Sequence, residues 1–325
     1  MASKIIGLGA YAPPKILTNI DLEKIVDTND AWITERTGIR ARHIAEPLTP
    51  NSDLCVEAAR VALADAGVDP EEIDIVIVGT LTPDMPFPAT ACFLQAKIGA
   101  TNAYAMDLSA ACSGFVYALS VADALIRAGR GKKALVVGSE ILSSVVDYTD
   151  RSTCILFGDG AGAVVLSECP EGEGVLSCHL HTDGHLWQLI HLPGGGTVHP
   201  CSPEMLEQRL GFIRMAGNET FKHAVLKMVE VSREALDRNG VTIDDVNLFI
   251  PHQANMRIIQ VVGKRLGIPD ERVFVDLEKY GNTSAASIPI ALAEAKEQGR
   301  FAAGDLVLVV AFGGGLTWAS ALMRM

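Results

Sequence analysis

Basic residues are scarce in this chain of 325 amino acids, where 27 Lys and Arg stand against 39 Asp and Glu for a net charge of −12. That deficit disfavours nucleic acid or an anionic membrane as the main partner and leaves room only for a local basic patch. No apolar run reaches transmembrane length, and Met1–Gly9 reads as a strand with no hydrophobic stretch long enough for a signal peptide. The expected location is cytoplasmic. The cysteines, at 55, 92, 112, 154, 169, 178 and 201, are odd in number, widely spaced and without any C-x-x-C. This argues against a disulfide framework and against a zinc site, and most of them read as small buried hydrophobes. No Pro/Ser linker divides the chain. The string E-C-P-E-G-E-G at 168–174 is the best boundary by composition, separating halves 1–170 and 171–325.

What the chain does have is material for a core: 49% hydrophobic residues and 30 glycines, with only 20% charged, fit an α/β enzyme rather than a disordered chain. Continuous apolar runs at Ile73–Val78, Ala134–Val137, Ala163–Leu166, Leu248–Ile250 and Leu306–Val310 predict strands covered on both faces, alternating with helices. Ala62–Gly79 aligns without gaps on Ala235–His252, each reading as helix, Gly C-cap, acidic turn and buried strand. Further on, Cys112 and Asn282 each head a helical stretch, ending at Gly129-Arg130 and Gly299-Arg300, which the pattern makes equal in length. A duplicated α/β fold follows, with chemistry at equivalent helix starts.

Three short strings carry that chemistry: A-A-C-S-G-F around Cys112, I-P-H-Q-A-N around His252 and G-N-T-S-A-A-S around Asn282. Cys112 falls between the strand Ala103–Leu108 and a helix Ser113–Arg127 that is apolar almost all round. There the positive end of the helix dipole is expected to favour thiolate over thiol. The small neighbours Ala110, Ala111, Ser113 and Gly114 leave room for a substrate. His252 follows a strand and the stiff Pro251, with a helix expected from about Ala254, so its imidazole is aimed. Asn282 follows Gly281. Alone, these read as a buried cysteine, a turn histidine and an N-cap asparagine. Together they make a nucleophile that can carry an acyl group and two neutral donors that can stabilise a negative oxygen, the needs of thioester chemistry.

With W-I-T-E-R-T-G-I at Trp32–Ile39 and F-G-G-G-L-T-W at Phe312–Trp318, these strings resemble the β-ketoacyl-[acyl-carrier-protein] synthase III family over almost the whole chain. The resemblance implies a thiolase-like fold, a five-layered αβαβα sandwich of two related halves, working as a homodimer. It implies acyl transfer from a short acyl-CoA to Cys112, then decarboxylation of malonyl-ACP with His252 and Asn282 as donors, and attack on the Cys112 thioester. Backbone N–H groups of Cys112 and Gly314 would form the oxyanion hole. Thr28, Trp32, Arg36, Arg151, Gly217, Phe221, Ala254 and Asn255 are implied for CoA, and Phe87, Leu142, Phe157 and Phe312 for the acyl pocket, with Phe87 reaching the partner subunit. Lys222, Arg257, Lys264 and Arg265 are implied for the acidic carrier protein. Arg257 and Lys264, seven residues apart, share a helix face. No cofactor or metal is implied; acyl-CoA and malonyl-ACP are substrates. The stretch Gly194–Leu210 looks longer than in the shortest family members and reads as a mobile loop near the tunnel mouth.

Other readings are weaker. Gly158-Asp159-Gly160-Ala161-Gly162 mimics a dinucleotide fingerprint but precedes a strand, not the helix that a phosphate contact needs. His179, His181 and His185 have a faintly metal-like spacing without a carboxylate to complete it. A thiolase would carry a second reactive cysteine late in the chain, and none follows Cys201. A papain-like hydrolase also runs Cys, His, Asn but lacks its C-G-S-C-W context. A related condensing enzyme of polyketide-type secondary metabolism is the enzymatic alternative, and an inactive scaffold on the same fold the non-enzymatic one.

Overall fold

A computed structural model describes all residues, Met1–Met325. Its first half runs β1 (Ala2–Tyr11), β2 (Lys15–Thr18), α1 (Asn19–Leu22), α2 (Asp30–Thr37), β3 (Ala41–Ile44) and α3 (Asn51–Ala66). It continues with β4 (Ile75–Gly79), α4 (Thr90–Ile98), β5 (Tyr104–Leu108), α5 (Gly114–Arg127), β6 (Lys133–Glu140) and β7 (Gly160–Cys169). The second half runs β8 (Gly174–Thr182), β9 (Ile190–His191), α6 (Pro203–Glu207), β10 (Arg214–Met215), α7 (Gly217–Asn239) and β11 (Leu248–Pro251). It ends with α8 (Met256–Leu266), α9 (Leu277–Tyr280), α10 (Ser287–Glu297), β12 (Leu306–Gly313) and β13 (Thr317–Arg324).

Two main sheets result, ordered β1-β7-β6-β4-β5 and β11-β12-β13-β8. The chain crosses from the first to the second at Cys169–Gly174. Helices α5 and α10 lie between the sheets, α3 and α4 cover the outer face of the first, and α7 with α8 covers that of the second. The layers therefore alternate helix, sheet, helix, sheet, helix. Apolar strands such as β4, buried at every residue, follow from being covered on both sides. The central core joins Ile75, Ile77 and Val136 of the first sheet to Ile250, Val307 and Val309 of the second through Phe115, Leu119 and Leu292. No helix is long and apolar enough to cross a membrane.

The duplication is regular. One interval separates Gly67 from Gly240, the 3-10 turn at Pro70 from that at Ile243, Ile75 from Leu248, Ala111 from Ser284, and Lys133 from Leu306. Both glycines are left-handed C-caps, at φ 62° and 64°. Both short turns ahead of α5 and α10, Ala111–Ser113 and Ser284–Ala286, begin on a non-glycine residue with positive φ, 45° at Ala111 and 49° at Ser284. This corrects the pairing expected from sequence. The counterpart of Cys112 is Ala285, and Asn282 stands three residues earlier in its half. Nor are the helices equal in length, since α5 has 14 residues and α10 has 11. The matched glycines at their ends disguised a difference taken up in the loops that follow.

Candidate active site

Cys112 lies in the 3-10 turn that closes onto α5. The end of β12 meets it closely: a Cβ on Gly313 would fall 2.6 Å from the Cys112 nitrogen. The next turn is pinned there by Thr317, whose hydroxyl donates to the carbonyl of Ala110 (2.8 Å) with the Gly314 carbonyl oxygen at 3.1 Å. Backbone around Gly313 and Gly314 is thus held beside the backbone of Cys112, where the oxyanion donors were expected.

Cys112 itself is half-buried. Burial pushes its thiol well above its ordinary value, while the nearby Ser284 hydroxyl pulls the other way and the Glu140 carboxyl adds to the rise. The expected gain from the helix end is therefore outweighed in the resting site. A dipole contributes about 0.3–1 kcal/mol, and desolvation of a thiolate exceeds it.

His252 follows Pro251 at the end of β11, and its backbone N–H donates to Val310 of β12 at 2.7 Å. The side chain is buried, and burial alone lowers its pKa to about 3, so the ring is neutral near pH 7. Its Nδ1 pairs with the Ser287 hydroxyl at 2.6 Å. When that hydroxyl donates, the imidazole presents Nε2–H as its remaining donor. Asn282 has its Oδ1 engaged by the backbone N–H of Ser284 at 2.9 Å, which leaves the Nδ2 donors as its free hydrogen-bonding capacity. It also pairs with Phe157 through an isolated backbone bridge.

One segment organises all three residues. Residues 282–287 carry Asn282, pack against the turn that bears Cys112, and hold His252 through Ser287. A Cβ on Gly138 of β6 would fall 2.2 Å from the Ala285 carbonyl oxygen, so only glycine lets this segment sit so close to the sheet. Sequence reasoning quoted Ser284 and Ser287 in a motif without giving them work, and missed Glu140. The one available signal for Glu140 was a carboxylate ending the otherwise apolar strand K-A-L-V-V-G-S-E.

The remaining expected contacts fall into distinct places. Trp32 on α2 is flanked by guanidinium groups, Arg36 at 4.7 Å and Arg151 at 5.3 Å from the ring centroid. The buried hydroxyl of Thr28, just ahead of α2, has no partner. Gly217 begins α7, with Phe221 one turn on. Asn255 caps α8 through Arg257 N–H and donates to the Arg36 carbonyl at 3.1 Å, tying α8 to α2, with Ala254 beside it. Arg257, Lys264, Arg265 and Lys222 are exposed, and Ile258, Ile259 and Val262 face inward as expected. Arg257, however, also lies 5.8 Å from the Phe221 ring, so it borders both surfaces.

The four expected acyl-pocket residues do not meet within one chain. Leu142 and Phe157 share a buried cluster, Phe312 packs in the layer under α7, and Phe87 is 83% exposed. A groove of about 1080 Å³ lined by Leu17, Ile25, Leu48, Met85, Phe93 and Tyr148 contains none of Cys112, His252 or Asn282. Glu234 of α7 contacts both His179 (3.4 Å) and His181 (2.6 Å), supplying the carboxylate that the sequence did not reveal. No group of three His, Cys, Asp or Glu side chains is arranged to hold a metal ion. The loop after Gly194 is clipped down by Arg209, which donates to both Asp147 carboxylate oxygens.

The family model described as 3-oxoacyl-[acyl-carrier-protein (ACP)] synthase III matches residues 106–184, and its C-terminal model matches residues 236–325. The chain is 53% identical over 320 residues to the β-ketoacyl-[acyl-carrier-protein] synthase III of Desulfitobacterium hafniense strain Y51, covering 98% of this chain and 97% of that one. It matches the crystal structure of 3-oxoacyl-[acyl-carrier-protein] synthase III from Aquifex aeolicus with a TM-score of 0.93 and 50% identity, covering 99% of this chain and 100% of that one. It also matches the priming β-ketosynthase of the R1128 polyketide pathway, with a TM-score of 0.92 and 38% identity over 99% of this chain and 96% of that one.

Proposed function

The chain belongs to the β-ketoacyl-[acyl-carrier-protein] synthase III family, and on that premise we propose how its residues divide the reaction. The enzyme is an acyltransferase that condenses a short acyl-CoA primer with malonyl-ACP, giving β-ketoacyl-ACP, CoA and CO2 and initiating fatty-acid synthesis. The first half, 1–170, supplies the nucleophile. Cys112 sulfur attacks the acyl-CoA carbonyl, backbone N–H groups of Cys112 and Gly314 stabilise the oxyanion, and CoA leaves as its thiol with the proton lost by Cys112. The second half, 171–325, supplies donors. His252 Nε2–H and Asn282 Nδ2–H hold the malonyl thioester oxygen as CO2 departs and an enolate forms. The enolate carbon attacks the Cys112 thioester, and collapse of that adduct expels the Cys112 thiolate.

The observation that carries this reading is the state of the pair of donors. A histidine with a pKa lowered to about 3 is a poor base but a sound neutral donor, and Asn282 has its acceptor oxygen already engaged. That favours enolate stabilisation over the nucleophile–base–orienter arrangement of a cysteine hydrolase. The test separates the half-reactions. Cys112→Ala should take up no acyl label yet still decarboxylate malonyl-ACP, whereas His252→Ala should acylate and lose about 10²–10³ in decarboxylation. Loss of acylation with surviving decarboxylation in His252→Ala would refute the assignment.

Around this centre, Trp32, Arg36 and Arg151 suit a CoA base, with Thr28, Gly217, Phe221, Ala254 and Asn255 along the tunnel. The exposed cations of α8 with Lys222 suit an acidic carrier protein. We propose a cytoplasmic homodimer that uses no cofactor beyond its substrates. The open edge of β5, exposed Phe87 and the apolar groove beside Met85 would be its joining surface, bringing Phe87 to the partner's acyl pocket. A panel of acyl-CoA primers would separate a housekeeping primer specificity from a polyketide-type one.

A further inference from the structure

Arg42 of β3 is the largest fully buried side chain in the protein. Burial lowers its pKa to about 10, so it remains charged near pH 7. Its hydrogen-bond partners are nevertheless all uncharged. Nη1 donates to Asn19 Oδ1 (2.8 Å) and the Leu17 carbonyl (3.3 Å), Nη2 donates to the Ile155 carbonyl (2.6 Å), and Nε has no partner. An ion buried with only neutral partners is costly, and an apolar side chain of like volume would fill the space for less. What the guanidinium adds is a rigid fork that reaches acceptors in two directions at once. One prong is fixed to the N-terminal segment, where the Asn19 amide is itself tied to Asp30 Oδ1 and to the Ile39 carbonyl, each at 2.8 Å. The other prong holds the chain at Ile155.

The residues that follow Ile155 are the ones that seat Asn282. Asn282 lies between α9 and the turn at Ser284, in neither helix nor strand. Its N–H donates to the Leu156 carbonyl at 2.8 Å, and its own carbonyl accepts the Gly158 N–H at 3.0 Å. The glycines on either side of this pairing, Gly158 and Gly281, let it close on the Arg42 stem. A Cβ on Gly158 would fall 3.0 Å from the Arg42 Cβ, and one on Gly281 would fall 3.3 Å from it. None of the Arg42 hydrogen bonds goes to Cys112, to His252 or to the Asn282 side chain, so its influence runs through the backbone. We propose that Arg42 is a positioning residue for the condensation: it staples residues 155–158 to the N-terminal segment and so keeps the Asn282 amide aimed at the malonyl thioester oxygen. This inference rests on Asn282 being a donor to that oxygen.

The test uses Arg42→Lys in the full-length protein, a change that keeps the charge and loses the fork. Competent sites are counted by labelled acyl-CoA on Cys112, and CO2 release from malonyl-ACP is expressed per labelled site. We expect acylation of those sites within about twofold of the wild-type rate and kcat for decarboxylation about thirtyfold lower, with KM for malonyl-ACP changed less than about twofold. Lost packing alone would lower the number of labelled sites and leave turnover at each unchanged. In an Asn282→Ala background the same substitution should cost less than about twofold more, because the group it positions is gone. Wild-type turnover per site in Arg42→Lys would overturn the proposal, as would equal losses in the two half-reactions or full additivity with Asn282→Ala. If Arg42→Lys does not fold, Asn19→Ala decides. It removes one acceptor of the fork and should lower decarboxylation per site about fivefold, and no loss would overturn the staple. Undiminished decarboxylation in Asn282→Ala itself refutes the functional reading, whereas an impaired Asn282→Ala beside an unimpaired Arg42→Lys refutes only the role of Arg42.

Discussion

The two halves are built alike yet end their matched strands differently, β6 in Glu140 and β12 in Gly313. Gly313 lets backbone close on Cys112, where any Cβ would collide with it. At the corresponding place in the other half, the Glu140 side chain fills the space and binds the Ser284 turn. Duplication thus produced two similar strand-to-turn junctions, one closed by bare backbone on Cys112 and the other filled by a carboxyl. The halves then serve opposite needs. In the proposed reaction the first supplies a thiol that must become charged, and the second a histidine whose burial keeps it uncharged.

The strongest way to break the comparison is to put a side chain at the bare junction. Gly313→Ala would place a Cβ 2.6 Å from the Cys112 nitrogen and force the oxyanion backbone apart. Acyl transfer to Cys112 should fall by about 10², measured as labelled protein, with the fold retained by circular dichroism. Undiminished labelling would mean that the donors lie elsewhere. Next in size is a stability effect of the neutral histidine. Its folded pKa, about 3, lies below the ordinary 6.5, so the unfolded chain binds the proton first, and the stability is complete above pH 6.5 and lost as pH falls toward 3. Between pH 7 and pH 5 His252 should cost the wild type about 2 kcal/mol, roughly thirtyfold in the folding equilibrium, which His252→Gln would not lose. Parallel urea midpoints for the two proteins would contradict a buried neutral ring.

Two smaller effects concern the outer faces of the halves. On the first, Phe87→Ala should shift primer preference toward longer or branched acyl-CoA by about tenfold, since Phe87 is too exposed to serve its own chain's core. An unchanged profile in a folded dimer would remove Phe87 from the pocket. On the second, Lys264→Glu should raise KM for malonyl-ACP about threefold in a salt-sensitive way while sparing acyl-CoA. Arg257→Glu should touch both substrates, because Arg257 also lies against Phe221. Equal losses toward both substrates from Lys264→Glu would dissolve the docking face.

Much of this was legible in the sequence where the information is local. Cys112 and His252 stand in short strings that follow strands, Asn282 in one that follows a short helix, and the repeat from Ala62 and Ala235 announced the duplication. What escaped depends on tertiary approach. The partnership of Ser284 with Glu140 joins residues far apart in the chain through a left-handed turn that no serine advertises. The helix dipole at Cys112 is visible in a pattern, whereas the burial that opposes it appears only when α5 is packed between sheets. The true counterpart of Cys112, Ala285, was masked by the glycines closing two helices of unequal length.

The division of labour is tested most directly by loading Asn282→Ala with labelled acyl-CoA and then adding malonyl-ACP. If the halves act as described, the label should enter Cys112 at a near wild-type rate and remain there, with CO2 release reduced by about 10²–10³. Failure of the label to enter, with decarboxylation of malonyl-ACP intact, would contradict it by making Asn282 part of the acyl-transfer machinery.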